Sequence, residues 1–217
     1  MHEIPFLSVS FGADPELFIT TRAGRVVGSE KVILEKGLPY VIRDGVQVEF
    51  NPIQNHCRQT FSTNLGACFQ YLNEALKKED LKACFDVTVK VTQKEMESLS
   101  PKSQLFGCDP SFNIHGDREI PVSDPSKFFY RSAGGHIHIG HNFSSTTAAL
   151  LRDYKTIVPL LDVIVGNTMV LLDRDEGNVS RREIYGRAGE YRTPSHGLEY
   201  RTLSNFWLKH YTLMSFV

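Results

Sequence analysis

Acidic, imidazole and guanidinium side chains recur at alternate positions along four short segments with strand-like sequences. These residues are Asp14 and Glu16, Glu49, His136 and His138, and Glu199 and Arg201. Because side chains at positions i and i+2 of a strand lie on the same face of a sheet, each segment presents its polar groups to one side. Several carboxylates close together cannot all stay ionised without a cation. The pattern therefore predicts a divalent-cation site on one face of a sheet.

The ligand types favour magnesium or manganese over zinc, since hard oxygen ligands with one imidazole suit the first two ions and zinc prefers more nitrogen or sulfur. Each segment alone has a simpler interpretation. Asp14 and Glu16 could lie in a surface turn, the two histidines could be structural, and Glu199 with Arg201 could be a strand-surface ion pair worth under about 1 kcal/mol. The ordered combination of the segments is what favours a functional site.

The first half of the sequence predicts strands and one helix. The segment 6–20 reads as a strand with a bulge at Gly-Ala-Asp-Pro, followed by a turn at 22–24. Asp44-Gly45 marks a second turn before a strand in which Gln47 and Glu49 share the polar face. The spacing of apolar residues predicts a helix over 60–78, and strict alternation predicts a strand over 85–91.

The second half begins with a stretch, 94–132, that reads as loop with short strands. A strand follows at 136–140, and 145–171 predicts a kinked helix or two abutting helices, because Pro159 interrupts it. After a polar loop at 173–188, two short strands contain GEYRTP and LEYRTL, and a helix begins at Ser204. That helix has no C-cap signal before Val217, so we expect truncation or an end that packs against a partner.

Length and composition favour one domain over 1–217. The 217 residues are 41% hydrophobic, and 24 basic residues nearly balance 25 acidic ones, so net charge suggests neither nucleic acid nor an anionic membrane as partner. The four cysteines do not have the close paired spacing of zinc knuckles or redox motifs, so we expect reduced thiols. No signal peptide is visible, and we expect no apolar stretch of the roughly 20 residues that span a membrane. We expect a soluble protein with a small polar partner.

Several motifs in this order resemble those of a known ligase superfamily. GADPELF is similar to the GxExE strand of glutamate-cysteine ligases, VEFNP to their next acidic strand, GGHIHIG to their GxHxHxG strand, and LEYR to their closing ExR strand. Together with FGCDPSFN and GEYRTPSHGLEYRTLSNFW, they more closely resemble a phage-type carboxylate-amine ligase family within the glutamine synthetase and glutamate-cysteine ligase superfamily. The resemblance spans residues 12 to 207.

The resemblance implies an α+β fold with a curved antiparallel sheet, an open half-barrel with helices on its convex face. It implies ATP and one to three Mg²⁺ or Mn²⁺ ions as cofactors. By motif position, the metal ligands would be Asp14, Glu16, Glu49, His136 and Glu199. His138 would contact nucleotide or phosphate, as would Arg187, Arg192 and Arg201, and Arg192 and Arg201 would act on the transferred phosphate. Asp14 stands where the larger ligases have Glu.

The implied reaction is phosphoryl transfer from ATP to a carboxylate, followed by attack of an amine on the acyl phosphate. The carboxylate would be a small molecule or a peptide, and the resemblance implies the cytoplasm of a bacterial host. Members of the superfamily often assemble, so both a monomer and a homo-oligomer remain open. Two other interpretations remain: a metal-dependent hydrolase that uses the same cluster, and a non-catalytic phage structural or carbohydrate-binding β-protein. The concentration of arginines near the carboxylates argues against the hydrolase, since guanidinium groups suit a polyanionic ligand.

Overall fold

A computed structural model describes residues 9–33, 40–101, 103–104, 111–116, 118–120, 129–141 and 153–217. Its strands are β1 (Val9–Ala13), β2 (Glu16–Thr21), β3 (Val26–Val27), β4 (Val41–Asp44), β5 (Gln47–Phe50), β6 (Leu81–Cys84), β7 (Thr88–Lys90), β8 (Ser111–Asn113), β9 (Arg118–Ile120), β10 (Tyr130–Ser132), β11 (Ile137–His141), β12 (Glu190–Arg192) and β13 (Gly197–Tyr200). Residues 6–8 of the predicted first strand, residues 106–110 of FGCDPSFN and residues 145–152 of the predicted helix lie outside the described residues.

Two antiparallel sheets share one continuous chain segment. β1 is the edge of a six-stranded sheet with the order β1-β11-β13-β12-β8-β9, and β2 lies in a five-stranded sheet with the order β3-β2-β5-β4, with β6 also paired to β2. Asp14 and Pro15 separate β1 from β2, so the single bulged strand predicted over 6–20 is, in its described part, two strands that belong to different sheets. The Phe50 amide donates to the Pro15 carbonyl at 2.9 Å, so β5 follows the chain across this break. The break is therefore a seam between the two sheets.

The helices are α1 (Arg58–Lys78), α2 (Gln93–Ser98), α3 (Tyr154–Leu161), α4 (Asn167–Leu172), α5 (Gly177–Ile184) and α6 (Tyr211–Phe216). A π-helical turn, Asp162–Gly166, joins α3 to α4, and 3₁₀ helices cover Ser29–Lys31 and Asn205–Lys209. The α1 residues buried in the core follow helical spacing and pack against apolar side chains from both sheets. The predicted helix over 60–78 and the two turns near residues 23 and 45 are confirmed.

Two helices lie where the sequence predicted only loop. α2 begins with a capping box, in which the Thr92 side chain accepts from the Glu95 amide and the Glu95 carboxylate accepts from the Thr92 amide. α5 follows the turn at Asp175. The strand predicted over 85–91 is shorter, at Thr88–Lys90, and a separate strand β6 precedes it. The helix predicted from Ser204 is divided into the 3₁₀ helix Asn205–Lys209 and α6. The capping box is a helix signal that the sequence contains, but the loop-like composition of 94–132 led to a loop prediction instead.

The helical run Tyr154–Leu172 corrects one expectation from the sequence. Its length and composition would suffice to cross a membrane, with mean hydropathy 1.6 and 22% of the window buried, so the prediction that no such stretch exists is wrong. Pro159 lies inside α3 as predicted, and the helix is irregular just after it, in the π turn. The buried Asp162 of that turn accepts a hydrogen bond from the Tyr200 hydroxyl at 2.6 Å, which fixes the run to β13. The run therefore meets the length and composition criteria for a membrane span and is also attached to the sheet through Asp162.

Candidate metal centre

The polar side chains predicted from the four strand segments meet at the seam. The Asp14 amide donates to the His136 carbonyl at 3.3 Å, and the Glu16 amide donates to the Gly134 carbonyl at 2.9 Å. The break in the strand therefore runs beside the segment that leads into β11. On the other side, Glu16 of β2 lies directly opposite Glu49 of β5. The seam brings groups from both sheets together, which sequence spacing alone could not show.

Asp14, His138 and Glu199 form a first group of potential ligands, whose ligand atoms lie within 4.8 Å of one another. The antiparallel register explains this, because Gly12 pairs with His138 and His138 with Glu199 in neighbouring strands. Nε2 of His138 lies 3.2 Å from Oδ2 of Asp14. We refer to these three residues as the first acidic group.

His136 lies directly beside the first acidic group. Its Nδ1 is 3.3 Å from Oδ1 of Asp14 and 3.6 Å from Oε1 of Glu199. The ring is 2% exposed, and neither of its nitrogens has a hydrogen-bond partner within the part of the chain that is described. A buried imidazole without a hydrogen bond is costly. His136 is thus also available to a cation, and the predicted division of roles between His136 and His138 stays a prediction.

Glu16, Asp44 and Glu49 form a second acidic group, again with ligand atoms within 4.8 Å of one another. The sequence analysis missed Asp44, which it assigned to turn chemistry alone. The signal was present in the hairpin, since Asp44 pairs with Gln47 across a two-residue turn that has Gly45 at a φ of 56°. Asp44 therefore lies at the end of the hairpin that carries Gln47 and Glu49. The described site contains one more carboxylate than was predicted.

Burial and mutual repulsion shift the carboxylates of both groups toward the protonated form. Burial, together with neighbouring acids, raises the pKa of Glu49 to about 9, of Glu16 to about 8, of Glu199 to about 7 and of Asp44 to about 6. Asp14 is the exception. Burial opposes its ionisation, but the adjacent His136 and His138 rings hold its pKa below the ordinary value. A divalent cation would allow all of these carboxylates to ionise together.

Two of the three predicted arginines lie at the first acidic group. Arg192 and Arg201 each place a guanidinium nitrogen 2.6 Å from the same oxygen, Oε1 of Glu199. Arg201 is 1% exposed, whereas the Arg192 side chain is 25% exposed. The Arg187 side chain contacts the Glu183 carbonyl at 2.8 Å and lies 3.7 Å from Glu190. Of the three, Arg192 is best exposed beside the acidic groups.

A polar cleft of about 740 Å³ opens from the two acidic groups. Asp14, Glu49 and His138 contribute to its inner wall, and the rest of the described lining is mainly small residues, amides and imidazoles, including Asn51 and His196. His138 Nδ1 and His196 Nε2 are 2.9 Å apart. No lysine or arginine is among the described lining residues. An anionic ligand in this cleft would therefore need cations to offset Asp14 and Glu49.

Fold and site together define an α+β protein with antiparallel sheets, no closed barrel among its described residues, and a buried carboxylate and imidazole centre. Residues 123–215 match the family described as phage phiEco32-like COOH.NH2 ligase-type 2. This confirms the resemblance inferred from the motifs over the matched residues, which include His136, His138 and Glu199. The motifs that contain Asp14, Glu16 and Glu49 lie before the match. The family suggests carboxylate-amine ligase activity. No curated protein matches the chain.

Proposed function

We propose that this protein is an ATP-dependent carboxylate-amine ligase that works through an acyl phosphate. One observation carries the proposal: two acidic groups, each with three potential ligands, adjoin at the seam inside a chain that matches a carboxylate-amine ligase family. Two such groups suit the two cation sites often used in phosphoryl transfer. The alternative interpretation as inert salt bridges is less favourable, since five carboxylates with mostly raised pKa values are poorly compensated by the surrounding cationic side chains.

The residues present fit magnesium or manganese. Asp14, Glu199 and His136 would hold one ion, with His138 facing the nucleotide, and Glu16, Asp44 and Glu49 would hold another, with water completing the coordination. Bound ions would neutralise phosphate charge and polarise the phosphorus centre. The position of His136 supports this assignment, because Nδ1 of the buried ring faces the Asp14 and Glu199 carboxylates at 3.3 and 3.6 Å and could coordinate the same ion.

We propose that the nucleotide occupies the polar cleft with its terminal phosphate toward the seam. The volume of about 740 Å³ is large enough for a nucleotide, and His138 lies in its wall. The partial exposure of the Arg192 guanidinium, beside Glu199, makes it the better candidate for direct phosphate contact. Arg201 is buried against Glu199 and would then act by fixing that carboxylate.

In the proposed reaction, a substrate carboxylate oxygen attacks the γ-phosphorus of ATP, and the bond to the β,γ-bridging oxygen breaks to release ADP. The amine nitrogen then attacks the acyl carbon, inorganic phosphate leaves, and the nitrogen loses a proton to give the amide. Arg192 would stabilise charge on the transferred phosphate. The substrates would be a small-molecule or peptide carboxylate and an amine acceptor, and their identity is to be established by experiment.

The finer architecture is also part of the proposal. We infer that the two sheets form an open half-barrel of the glutamine synthetase type, with the polar side chains on the inner face. The continuous segment 9–21 that belongs to both sheets supports this, as does the packing of α1 and α3 against the apolar side chains of the strands. Such a curved surface would allow nucleotide and amine to approach the seam from different sides.

Calorimetry with ATP, with and without Mg²⁺, tests the proposal first. A ligase should bind ATP only when Mg²⁺ is present, whereas a metal-dependent hydrolase should bind the ion without needing nucleotide, and a structural protein should bind neither. Phosphate release against pooled amino acids and amines, read together with product mass, then tests the reaction. Failure to bind ATP in the presence of Mg²⁺ would refute the proposed function.

A further inference from the structure

One oxygen of Glu16 is held by three donors from three parts of the chain. Oε2 accepts from the Gly134 amide at 2.6 Å, from Nε2 of Gln47 at 2.7 Å and from the Tyr185 hydroxyl at 3.2 Å. A carboxylate oxygen with three donors has little remaining capacity to bind a cation. The other oxygen, Oε1, is thereby left for the second acidic group. The donors therefore fix the orientation of this carboxylate.

Gln47 and Tyr185 hold Glu16 in the same way from different elements. The two N–H groups of Gln47 donate to the Glu16 carboxylate and to the Ser132 carbonyl, the latter at 2.9 Å. The single hydroxyl proton of Tyr185 is shared between the same two acceptors, each 3.2 Å away. Gln47 comes from β5, and Tyr185 directly follows α5. Two side chains that bridge the same pair of acceptors define the position of Glu16 more closely than either alone.

Tyr185 also contacts the first acidic group. Its buried ring lies edge-on to His136, with centroids 5.8 Å apart, and the guanidinium carbon of Arg201 is 5.7 Å from the ring centroid. On the same ring, the guanidinium carbon of Arg181 is 4.7 Å from the centroid. Arg181 itself donates to the carbonyls of 201–203. Tyr185 therefore links Glu16 of the second acidic group to His136 and Arg201 beside the first.

We propose that Tyr185 is a positioning residue of the metal centre, which orients Glu16 through its hydroxyl and supports His136 and Arg201 through its ring. This inference rests on the proposed function, since it requires that Glu16 binds a divalent cation. The hydroxyl and the ring have separable roles. Tyr185→Phe removes only the first, so it should weaken cation binding while the packing against Arg201 persists.

Tyr200 provides a matched control. Its hydroxyl also donates to a buried carboxylate, that of Asp162 at 2.6 Å, but Asp162 belongs to the π turn and is outside both acidic groups. Tyr185→Phe and Tyr200→Phe therefore delete the same chemical group from two buried tyrosine-carboxylate pairs. A purely structural role for Tyr185 predicts that both variants lose stability and neither loses cation affinity.

The experiment measures Mn²⁺ binding directly, by electron paramagnetic resonance of the free ion, for the full chain and both variants near pH 8. We expect Tyr185→Phe to bind Mn²⁺ about 10- to 100-fold more weakly at one site, the range for lost outer-shell partners, and Tyr200→Phe to bind like the unmodified protein. Melting temperatures, measured in parallel, report the structural effect of each change. Gln47→Met removes the companion donor and should weaken the same site.

The outcomes separate the two proposals. If the unmodified protein binds no Mn²⁺, the proposed metal centre fails, and the role of Tyr185 fails with it. If the unmodified protein binds Mn²⁺ and Tyr185→Phe binds it equally well, only the positioning role is overturned. If Tyr185→Phe does not fold, Gln47→Met is measured instead, because Gln47 donates to the same Glu16 oxygen. Unchanged Mn²⁺ affinity in Gln47→Met would then overturn the inference.

Discussion

Asp162 and Glu16 are both buried carboxylates, but their surroundings differ. Asp162 stands apart from the other acids and is fully engaged: Oδ1 accepts from the Gly189 amide and the Tyr200 hydroxyl, and Oδ2 lies 2.8 Å from the His115 ring. Glu16 also has three donors, yet it faces Asp44 and Glu49 at close range. The hydrogen bonds around Asp162 satisfy one carboxylate, whereas Glu16 lies in a cluster of three carboxylates. The comparison supports a structural role for Asp162 and agrees with the proposal that the two acidic groups bind cations.

Removing a ligand from the acidic groups should have the largest effect. We expect Glu49→Gln to lower Mn²⁺ affinity by at least about 100-fold and to abolish metal-dependent ATP binding, because it removes one of three ligands from the second acidic group. Since burial and the neighbouring acids raise the pKa of Glu49 to about 9, a neutral amide at this position should be tolerated without metal, and the melting temperature should stay the same or rise. Calorimetry and thermal unfolding measure the two effects. Asp162→Asn is the contrasting variant, and it should lower stability without changing Mn²⁺ affinity.

Arg201→Lys tests the link between the first acidic group and catalysis. Lysine keeps the charge but cannot reproduce the planar guanidinium that contacts Glu199 and packs on Tyr185. We expect turnover to fall by about ten- to a thousand-fold with little change in ATP affinity, as for an interaction that matters mainly in the transition state. Steady-state kinetics and calorimetry provide the two readouts. Near-normal turnover would show that Arg201 is only part of a structural ion pair.

The two histidines should differ in which ligand they affect. His136→Ala should raise the metal concentration needed for half-maximal activity, since its ring nitrogens lie among the carboxylates of the first acidic group. His138→Ala should chiefly weaken ATP at saturating metal, because His138 also lines the polar cleft. Titrations of metal and of ATP for both variants distinguish these effects. Identical profiles would contradict the division of roles.

The smallest expected effect is a pH dependence of stability. The pKa values of Glu199, Glu16 and Glu49 are raised to about 7, 8 and 9 in the fold, from an ordinary value of 4.5. A raised pKa means that the folded protein binds more protons than the unfolded chain. The resulting stability is fully present below pH 4.5, falls as the pH rises above that value, and is lost once the pH has passed through 7 to 9. The melting temperature without metal should fall over this range.

Added Mg²⁺ should oppose that fall, because the ion replaces the protons on the carboxylates. The increase in melting temperature caused by Mg²⁺ should therefore be larger near pH 9 than near pH 6. Thermal unfolding at both pH values, with and without Mg²⁺, measures the difference. An equal increase at both values would mean that ion binding does not displace protons from these groups.

The sequence alone determined much of this protein's local structure. Alternation at 136–140 and the turns at 22–24 and 44–45 predicted strands and hairpins, and the i and i+2 spacing predicted which polar side chains share a face. The helix over 60–78 followed from its apolar spacing. These features depend on neighbours a few residues apart, and such information is contained in any short window of sequence.

The tertiary structure decided how those local pieces form a site. Asp44 lies close to Glu16 and Glu49 because β4 pairs with β5 and β5 pairs with β2. No sequence pattern links residue 44 to residue 16. Tyr185 and Glu16 are far apart in the chain, yet a hydrogen bond joins them across the seam. Contacts of this kind depend on sheet order and register, which are set by packing over the whole chain, so no local pattern of residues specifies them.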